Sequence, residues 1–272
     1  MTDNFIGSLK NLWTSHNSLL CVGLDPNLSL LPPHLSERDD AVFEFCTAII
    51  DATHDLVCAY KPQIAYFADT AKEEQLRAVI EYVKNKYPHI PIILDAKRGD
   101  IGSTASMYAH EAFDRFKADA VTINPYMGQD SAQPFLDRAD KGVVVLCRTS
   151  NAGGAEFQDL LVGGAPLYER VARNVFEHWN KNDNCALVVG ATNPKQMERV
   201  RSLVGDMPFL VPGVGAQGGD VAALLKAGLT EAKSGLVINS SRGIIFSSVE
   251  EDYAQKAREA AIALRDEINL YR

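Results

Sequence analysis

The amino-acid sequence predicts one (β/α)8 TIM barrel, an α/β fold, and two observations support that prediction. Short β-rich runs alternate with amphipathic stretches of helical length about eight times within 272 residues, which is typical of such barrels. Polar or charged residues follow almost every β-rich run, and barrel enzymes assemble their active sites at these positions. A doubly wound open sheet is the main alternative, but it would concentrate the chemistry at one crevice.

The strand predictions rest on short apolar and β-branched runs that end in turn residues. Three of the five cysteines lie in such runs, where we expect them to be small buried side chains. The runs, in chain order, are Leu19–Leu24, Leu56–Tyr60, Pro91–Leu94, Ala120–Asn124, Gly142–Cys147, Ala186–Val189, Phe209–Val211 and Gly235–Ile238.

The helix predictions rest on amphipathic spacing between the strands. Pro194 and Asp220 suit helix starts, as a first-turn proline and a capping aspartate, and Gly228 suits a helix end. The clearest stretches are Asp40–Thr53, Thr70–Lys86, Ser103–Phe116, Leu167–Asn180, Pro194–Leu203, Asp220–Ala227 and Glu250–Asn269. Because no linker or low-complexity tract divides the chain, we expect residues 1–272 to form one domain.

The composition argues against several classes of partner. The net charge is −8 and no basic run is present, which argues against a nucleic-acid partner. No apolar window approaches the ~18 residues that a membrane span needs. The segment Met1–Asn4 lacks the basic start of a signal peptide, and the cysteines form no C-x-x-C pair. We therefore expect a reduced, cytoplasmic protein with no membrane partner.

The most informative segment is Ile93–Ile101, where an apolar run ends in a lysine between two aspartates. Because side chains alternate along a strand, Asp95 and Lys97 are expected to point to the same side. Gly99 ends the predicted strand, and Asp100 follows in a turn. Charges at the carboxyl end of a parallel strand indicate a site of chemistry.

Other polar residues that follow the predicted strands are expected to converge on the same site. Lys61 is either a solvated lysine at the rim or, at the end of a buried strand, a partner of Asp95. Asp25 is either an ordinary turn residue before proline or an acceptor for a sugar hydroxyl. The candidate residues in chain order are Asp25, Lys61, Asp95, Lys97, Asp100, Asn124, Ser150, Asn151, Gln217 and Arg242.

Two loops near the end of the chain predict a phosphate site. Pro212–Asp220 is rich in glycine and leads into a helix, and Asn239–Ile244 follows the last predicted strand. Backbone N–H groups of such loops approach anions closely, and Arg242 can add a bidentate contact. The alternative interpretation is two flexible turns with a surface arginine.

The stretch Asn151–Pro166 is a long, glycine-bearing connection after the fifth predicted strand. Such connections are usually lids over an active site or disordered segments. We favour a lid, because Ser150 and Asn151 at its base offer hydrogen-bond donors for an amide-like edge of a substrate.

The segment Asp95–Ile101, with Lys61 before it and both phosphate loops after it, resembles orotidine 5′-phosphate decarboxylases. Thr122–Gly128 and Cys147–Asn151 resemble the longer bacterial branch of that family. The resemblance extends from about Cys21 to Ile244, which is most of the chain.

This resemblance implies a homodimer with shared active sites that converts orotidine 5′-monophosphate to uridine 5′-monophosphate without metal or organic cofactor. The reaction belongs to de novo pyrimidine biosynthesis. Lys97 would stabilise and protonate the C6 carbanion within a network that includes Lys61, Asp95 and Asp100. Asp100 would enter the partner's site together with Thr104.

The resemblance also implies how the substrate is held. The implied contacts are Asp25 and Lys61 to ribose hydroxyls, Ser150 to the pyrimidine amide, and Gln217 and Arg242 to the phosphate. Two points stay open at the level of sequence. Asn124 has either a direct or a supporting role, and any of Thr149, Ser150 and Asn151 could contact the base.

Three other functions are consistent with parts of the pattern. A metal-dependent sugar-phosphate decarboxylase or aldol-type synthase of the same superfamily typically has a glutamate near strand two, where this chain has Lys61. A Schiff-base aldolase could use Lys97 or Lys61, but flanking aspartates would keep the lysine protonated and poorly nucleophilic. A non-catalytic barrel that binds a phosphate ligand would need the loops but not a costly buried array of charges.

Overall fold

The computed structural model describes residues 4–214 and 220–272, and eight parallel strands surround one interior in it. The strands are Leu20–Leu24 (β1), Ala59–Pro62 (β2), Ile93–Arg98 (β3), Ala120–Ile123 (β4), Gly142–Arg148 (β5), Cys185–Val189 (β6), Phe209–Val211 (β7) and Leu236–Ser240 (β8). Each strand pairs with its neighbour in sequence, and β8 pairs with β1. Two isolated parallel bridges, Tyr60 to Ile92 and Gln63 to Asp95, close the ring between β2 and β3. The predicted barrel is confirmed.

Helices form the outer layer of the barrel. The α-helices are Phe5–Ser15, Pro33–Ser36, Ala41–Thr53, Ile64–Ala68, Glu73–Lys86, Gly102–His110, Gln129–Leu136, Ala155–Gln158, Leu167–Asn174, Pro194–Val204, Val221–Gly228, Arg242–Ile245 and Tyr253–Leu270. Single π-helical turns follow two of these helices, at Glu111–Arg115 and Val175–Trp179. Short 3₁₀ turns lie at Leu28–Leu30, Pro125–Met127 and Ala152–Gly154.

Most sequence predictions of elements are confirmed, and the exceptions have physical reasons. The second strand is Ala59–Pro62 rather than Leu56–Tyr60, because Leu56 and the two residues after it are buried in a turn. An apolar run alone does not distinguish a buried turn from a strand. The helix Gln129–Leu136 was not predicted, and it contains a proline that normally argues against a helix.

The N-terminal helix Phe5–Ser15 was also not predicted, and it covers the amino-terminal end of the barrel. Asn4 caps it, since its side-chain oxygen accepts a hydrogen bond from the backbone N–H of Gly7 at 2.9 Å. The ring of Phe5 packs so closely on β5 that a Cβ at Gly142 would lie 2.2 Å from its Cδ1 atom. The start of β5, at this end of the barrel, is therefore covered by packed side chains, and Lys61, Asp95 and Lys97 lie at the opposite end.

None of the helices in the described residues is both long enough and apolar enough to cross a membrane.

The predicted helix-start residues are confirmed. Pro194 occupies the first turn of its helix, and the Asp220 side chain accepts a hydrogen bond from the Ala223 N–H at 3.1 Å. Gly228 is the last residue of its helix, as predicted.

Candidate active site

The strand β3 bulges at the segment that carries the charges. Leu94 pairs with Val121 and Arg98 pairs with Ile123, so four residues of β3 advance against two residues of β4. Within the bulge, Lys97 has a φ of 47°, a left-handed conformation that is rare for a residue with a side chain. Bulges of this kind re-aim side chains and occur often beside active sites.

The bulge places two lysines on one carboxylate. The Lys61 Nζ atom lies 2.9 Å from Asp95 Oδ2, and the Lys97 Nζ atom lies 2.6 Å from Asp95 Oδ1. The side chains of Lys61 and Asp95 are 5% and 10% exposed, whereas that of Lys97 is 45% exposed. The predicted pairing of Lys61 with Asp95 is confirmed. Lys61, Asp95 and Lys97 thus form an array of three charges, and Lys97 is the member that an incoming ligand can reach.

The charges around Asp95 set the protonation states of Asp95 and Lys61. Burial alone would raise the pKa of Asp95, but the charges of Lys61 and Lys97 outweigh burial and lower this pKa to about 2. Burial alone would lower the pKa of Lys61, but attraction to Asp95 and Asp25 outweighs it and raises this pKa. At neutral pH Asp95 is therefore ionised and Lys61 is protonated. A lysine held in its charged form is a poor nucleophile for imine formation.

Thr122 on β4 is a neighbour of this array to which sequence reasoning gave no role of its own. Its hydroxyl donates to Asp95 Oδ1 at 2.9 Å and accepts from the backbone N–H groups of Ala96 and Lys97, each at 2.9 Å. The side chain is fully enclosed, with 1% of the residue exposed. A single polar residue in the otherwise apolar run Ala120–Ile123 was the signal available in the sequence.

Asp25 lies at the end of β1 and interacts with the loop after β8. Its Oδ2 atom accepts a hydrogen bond from Ser241 Oγ at 2.7 Å, and its Oδ1 atom is buried without a partner in the described residues. The Oδ1 atom of Asn239 is in the same condition. A Cβ at Gly23 would lie 2.8 Å from the Cβ of Ser241, so only glycine allows this approach. The carboxylate of Asp25 thus retains an acceptor for a hydroxyl.

Asp100 does not join the array within this chain. Its Oδ1 atom accepts a hydrogen bond from the Ile101 N–H at 2.8 Å, and no described contact joins it to Lys61 or Lys97. Thr104 lies exposed on the helix Gly102–His110 that follows. Thr104 is therefore open to a contact from outside the chain, and Asp100 is half-buried after the end of β3.

Asn124 has a supporting position. Its side-chain oxygen accepts the Tyr126 N–H at 3.0 Å and caps the 3₁₀ turn Pro125–Met127. Its backbone N–H donates to the carbonyl of Arg98 at 2.7 Å, where the strand pairing resumes after the bulge. A Cβ at Gly99 would lie 3.3 Å from the Cβ of Asn124. Asn124 therefore supports the end of β3 from the neighbouring strand.

Arg98 points away from the site, although it lies between charged site residues in sequence. Its guanidinium donates two hydrogen bonds to Glu111 Oε2, at 3.0 and 2.7 Å, and stacks 4.5 Å from the centre of the Tyr108 ring. This arginine therefore fastens the strand to the following helix.

The connection after β5 is folded into short elements. After the 3₁₀ turn and the helix Ala155–Gln158, the antiparallel pair Leu161–Val162 and Ala165–Pro166 forms a small hairpin. Arg148, at the end of β5, pairs with Asp159 through contacts of 2.9 Å and 3.1 Å. The connection is thus fixed to the barrel at its base.

Ser150 and Asn151 lie beside this anchor. The Thr149 N–H donates to Gln158 Oε1 at 2.9 Å, and the Thr149 hydroxyl donates to Asn151 Oδ1 at 2.6 Å. A Cβ at Gly190 would lie 2.7 Å from the Ser150 backbone, so the end of β6 approaches this loop closely. Ser150 is therefore held in place by backbone packing, and the Asn151 amide oxygen is engaged by Thr149.

The two phosphate loops are described in part. Gln217 lies outside the described residues, which resume at Asp220. Arg242 begins the short helix Arg242–Ile245 and is exposed. No hydrogen bond or ion pair of its guanidinium occurs among residues 4–214 and 220–272. Arg242 is therefore available to an anion at the end of β8.

The described residues contain no group of three or more histidine, cysteine, aspartate or glutamate side chains arranged to hold a metal ion. At the end of β2, where a superfamily member that uses a metal typically places a glutamate, the chain has Lys61 paired with Asp95 at 2.9 Å. The donor set around Asp95 thus consists of two cations and a hydroxyl.

Known proteins resemble this chain over nearly its whole length. A sequence model of the orotidine 5′-phosphate decarboxylase / HUMPS family matches residues 18–259. The orotidine 5′-phosphate decarboxylase of Azoarcus sp. (strain BH72) is 60% identical over 269 residues, which cover 99% of this chain and 100% of that protein. The enzyme of Cellvibrio japonicus (strain Ueda107) is 59% identical over 271 residues, which cover 99% of both chains.

Solved structures show the same architecture. The structure of Leishmania donovani OMP decarboxylase superposes with a TM-score of 0.86 at 42% identity and covers 98% of both chains. Leishmania donovani UMP synthase gives a TM-score of 0.89 at 44% identity, and the match covers 99% of this chain and 57% of that longer one.

Proposed function

Because this chain belongs to the orotidine 5′-phosphate decarboxylase / HUMPS family, we propose that Lys61, Asp95 and Lys97 carry out its reaction. The reaction is the decarboxylation of orotidine 5′-monophosphate to uridine 5′-monophosphate and CO2, a step of pyrimidine biosynthesis. The observation that carries the assignment of residues is the contact between the exposed Lys97 Nζ atom and Asp95 Oδ1 at 2.6 Å.

The chemistry requires a cation beside the reacting carbon. Loss of CO2 from C6 of the pyrimidine leaves a carbanion that no adjacent carbonyl group delocalises. A charged Lys97 stabilises that carbanion electrostatically and then delivers a proton to C6. Asp95 holds Lys97 in place and keeps a negative charge next to the departing carboxylate.

The magnitudes indicate which effect dominates. Two carboxylates about 4 Å apart repel by ~4 kcal/mol at an effective dielectric near 20, which corresponds to about a thousandfold in rate. Enzymes commonly lower barriers by ~8–23 kcal/mol, so this repulsion is the smaller contribution. Stabilisation of the carbanion by Lys97 is the larger one. Binding energy from the distant phosphate holds the substrate in the reactive geometry.

The remaining contacts are assigned by position. Asp25 and Lys61 bind the ribose hydroxyls, which is supported by the unpaired Oδ1 atom of Asp25. Ser150 contacts the amide edge of the pyrimidine. This choice over Asn151 is supported by the close packing of Ser150 against Gly190 at the end of β6, where a Cβ would lie 2.7 Å from the Ser150 backbone. Arg242 and Gln217 bind the phosphate, and Asn124 supports β3 without contacting substrate.

The array is completed by a second copy of the chain. Asp100 has no described contact with Lys61 or Lys97 of its own chain, Thr104 is exposed, and the helix that bears Thr104 also exposes Met107, at 63%. Ile101, the neighbour of Asp100 in the chain, is 55% exposed, so exposed apolar side chains lie next to both polar residues in the sequence. This surface pairs two chains and brings Asp100 of each to the array of the other.

The whole chain, residues 1–272, acts as one domain in the cytoplasm. The C-terminal helix Tyr253–Leu270 ends beside the N-terminal one, and the Arg272 side chain donates to the Trp13 carbonyl at 2.9 Å. All five cysteines, each within the described part of the chain, are buried and unpaired, which fits a reducing compartment. Recovery of the activity in the soluble cytoplasmic fraction checks this placement.

The activity is tested by mixing the protein with orotidine 5′-monophosphate and following the loss of the orotidylate absorbance. We expect uridine 5′-monophosphate and CO2 in equal amounts, at a rate that EDTA does not change. An EDTA-sensitive rate would favour the metal-dependent branch of the superfamily. Trapping of the substrate on Lys97 by borohydride would favour an imine mechanism.

Shared sites are tested by mixing two inactive variants. Asp100→Ala and Lys97→Ala homodimers are each expected to be inactive, because each lacks one member of every array. Under subunit exchange, about half of the chains enter mixed dimers, and each mixed dimer contains one intact site. Activity should therefore reappear on mixing, and a mixture that exchanges subunits but stays inactive would contradict the shared site.

A further inference from the structure

We propose that Thr122 is a positioning residue for the reaction, holding Lys97 and the charge of Asp95 in the geometry that catalysis needs. This inference rests on the proposed function and adds a residue to it. It starts from the bulge in β3, which removes two backbone groups from the barrel's hydrogen-bond ladder.

The two groups are the N–H groups of Ala96 and Lys97. Regular pairing of β3 with β4 stops after Leu94 and resumes at Arg98. A buried backbone N–H without a partner is costly, so a substitute acceptor is required. The Thr122 hydroxyl oxygen is that acceptor, at 2.9 Å from both nitrogens.

One of these two hydrogen bonds acts on a strained residue, Lys97. Lys97 has a φ of 47°, a conformation that costs roughly 1–3 kcal/mol and persists only where the surroundings hold it. The hydrogen bond from its own N–H to Thr122 is one of the contacts that hold it. The left-handed turn directs the Lys97 side chain toward Asp95 and toward the open barrel mouth.

The Thr122 hydroxyl donates its one hydrogen to Asp95. A threonine hydroxyl has one hydrogen to donate and two lone pairs to accept with. The N–H groups of Ala96 and Lys97 occupy both lone pairs, so the single hydrogen is directed to Asp95 Oδ1 at 2.9 Å. Oδ1 also accepts from Lys97 Nζ, at 2.6 Å. A proton on Oδ1 would face both donors, so Thr122 favours the ionised form of Asp95.

Thr122 differs from an ordinary buried threonine because its hydroxyl contacts two of the residues to which we assign the chemistry. Thr122 touches Asp95 and the Lys97 backbone, and we assign it no contact with the substrate. Its loss should lower kcat more than it raises KM, since the substrate's phosphate and ribose contacts are elsewhere. An ordinary structural threonine would lower the stability without this selective effect on kcat.

The experiment compares Thr122→Val, which keeps the shape but removes the hydroxyl, with Thr122→Ser, which keeps the hydroxyl. We expect Thr122→Val to lower kcat on the order of 10- to 100-fold, because small misplacements of reacting groups have effects of this size. KM should stay within about threefold, and Thr122→Ser should recover kcat to within about threefold of the parent protein. The acid limb of the kcat profile should move to higher pH in Thr122→Val.

Thr230→Val provides a matched control. Thr230 is also buried, at 7% exposed, and its hydroxyl also accepts a backbone N–H, that of Ser234 at 3.3 Å. It lies in the turn before β8, at the opposite end of the barrel. This variant should lose thermal stability while its kcat and its pH profile stay unchanged.

Several outcomes would overturn the role of Thr122. The parent protein must be active in the same assay, since an inactive parent refutes the proposed function instead. With an active parent, a kcat of Thr122→Val within about threefold of the parent value contradicts the inference. A folded Thr122→Ser that is as slow as Thr122→Val contradicts it as well.

A second variant and a crystal structure also test the role of Thr122. If Thr122→Val does not fold, Thr122→Cys replaces it, because a thiol fills the space but is a weak donor and acceptor. A crystal structure of the variant is independent of activity. If Lys97 keeps its left-handed φ and its contact with Asp95 there, the positioning role is wrong.

Discussion

The two ends of the barrel each enclose a cation, and the pKa values of these cations move in opposite directions. At the mouth, Lys61 is buried against Asp95, and attraction to carboxylates raises its pKa despite burial. At the base, Arg201 is partly buried, and burial lowers its pKa to about 10 because only Asp206 counteracts it. The same physical forces are therefore balanced differently at the two ends.

The partners of the two cations explain the difference. Arg201 donates to the backbone carbonyls of Gly228, Gly205, Met207 and Gly235, at 2.6 to 3.0 Å. Its guanidinium also stacks 3.7 Å from the centre of the Phe209 ring. By donating to these neutral acceptors, Arg201 holds the loops at the base of the barrel together. At the mouth the acceptor is the carboxylate of Asp95, which keeps Lys61 protonated.

This comparison predicts that variants at the mouth lose activity and variants at the base lose stability. Lys97→Ala should have the largest effect, with turnover lowered by at least about a thousandfold, because it removes both the stabilising cation and the proton donor. Binding of uridine 5′-monophosphate, measured by calorimetry, should remain. Lys226→Ala, which removes an exposed lysine at the base, serves as the control, and substantial residual turnover in Lys97→Ala would refute the assigned role.

Arg201→Met should have the converse effect. The change leaves four carbonyls without their donor, so we expect the free energy of unfolding to fall by ~3 kcal/mol while kcat is unchanged. Urea unfolding and steady-state kinetics measure the two quantities on the same preparation. Arg77→Met, at an exposed ion pair on an outer helix, should lower the stability by less than ~1 kcal/mol. Equal losses in both variants would contradict the role of Arg201.

Arg242→Ala tests the proposed phosphate contact at the end of β8. Loss of the phosphate contact should lower kcat/KM by roughly 10- to 100-fold, since charge-assisted hydrogen bonds to phosphate are among the stronger ones. The parent protein should bind uridine 5′-monophosphate more tightly than uridine, and the variant should bind both with similar affinity. An unchanged preference for the nucleotide would show that Arg242 does not contact the phosphate.

The smallest predicted effect concerns acid stability at the mouth. The pKa of Asp95 is about 2 in the folded protein, against a usual value of 3.8. Its ionised form therefore stabilises the fold fully above the usual pKa, and this contribution is lost as the pH falls through the folded value. It amounts to about 2 kcal/mol.

Asp95→Asn isolates that contribution, because asparagine does not titrate. The variant should be less stable than the parent protein at neutral pH, since Lys61 loses its buried partner. The difference in unfolding free energy should narrow by about 2 kcal/mol between about pH 5 and about pH 2. A difference that stays constant with pH would mean that the pKa of Asp95 is not depressed.

Much of the barrel was predictable because strands and helices have distinct periodicities. The sequence also indicated that Lys61 would pair with Asp95, since both follow buried strands. Alternation along a strand correctly placed Lys97 on the side of Asp95. It did not predict that a bulge and a positive φ at Lys97 produce that arrangement, because periodicity describes regular strands only.

The parts that escaped prediction depend on contacts between distant segments. Thr122 is one polar residue within an apolar strand, and its role depends on the bulge in the neighbouring strand. Arg98 lies between charged site residues in sequence, yet its side chain faces the outer helices. The anchoring of the connection after β5 by Arg148 depends on where Asp159 folds back. None of these arrangements follows from local sequence pattern.

The narrow junction between β2 and β3 gives the Lys61–Asp95 ion pair a second consequence. Two isolated bridges join these strands, and Asp95 itself forms one of them. The ion pair therefore crosses the seam where the ring of strands is most weakly joined. Any local opening there separates Lys61 from Asp95, so we expect decarboxylation to stop before the rest of the barrel unfolds. The two residues to which we assign the chemistry are thus also expected to report whether the barrel is closed.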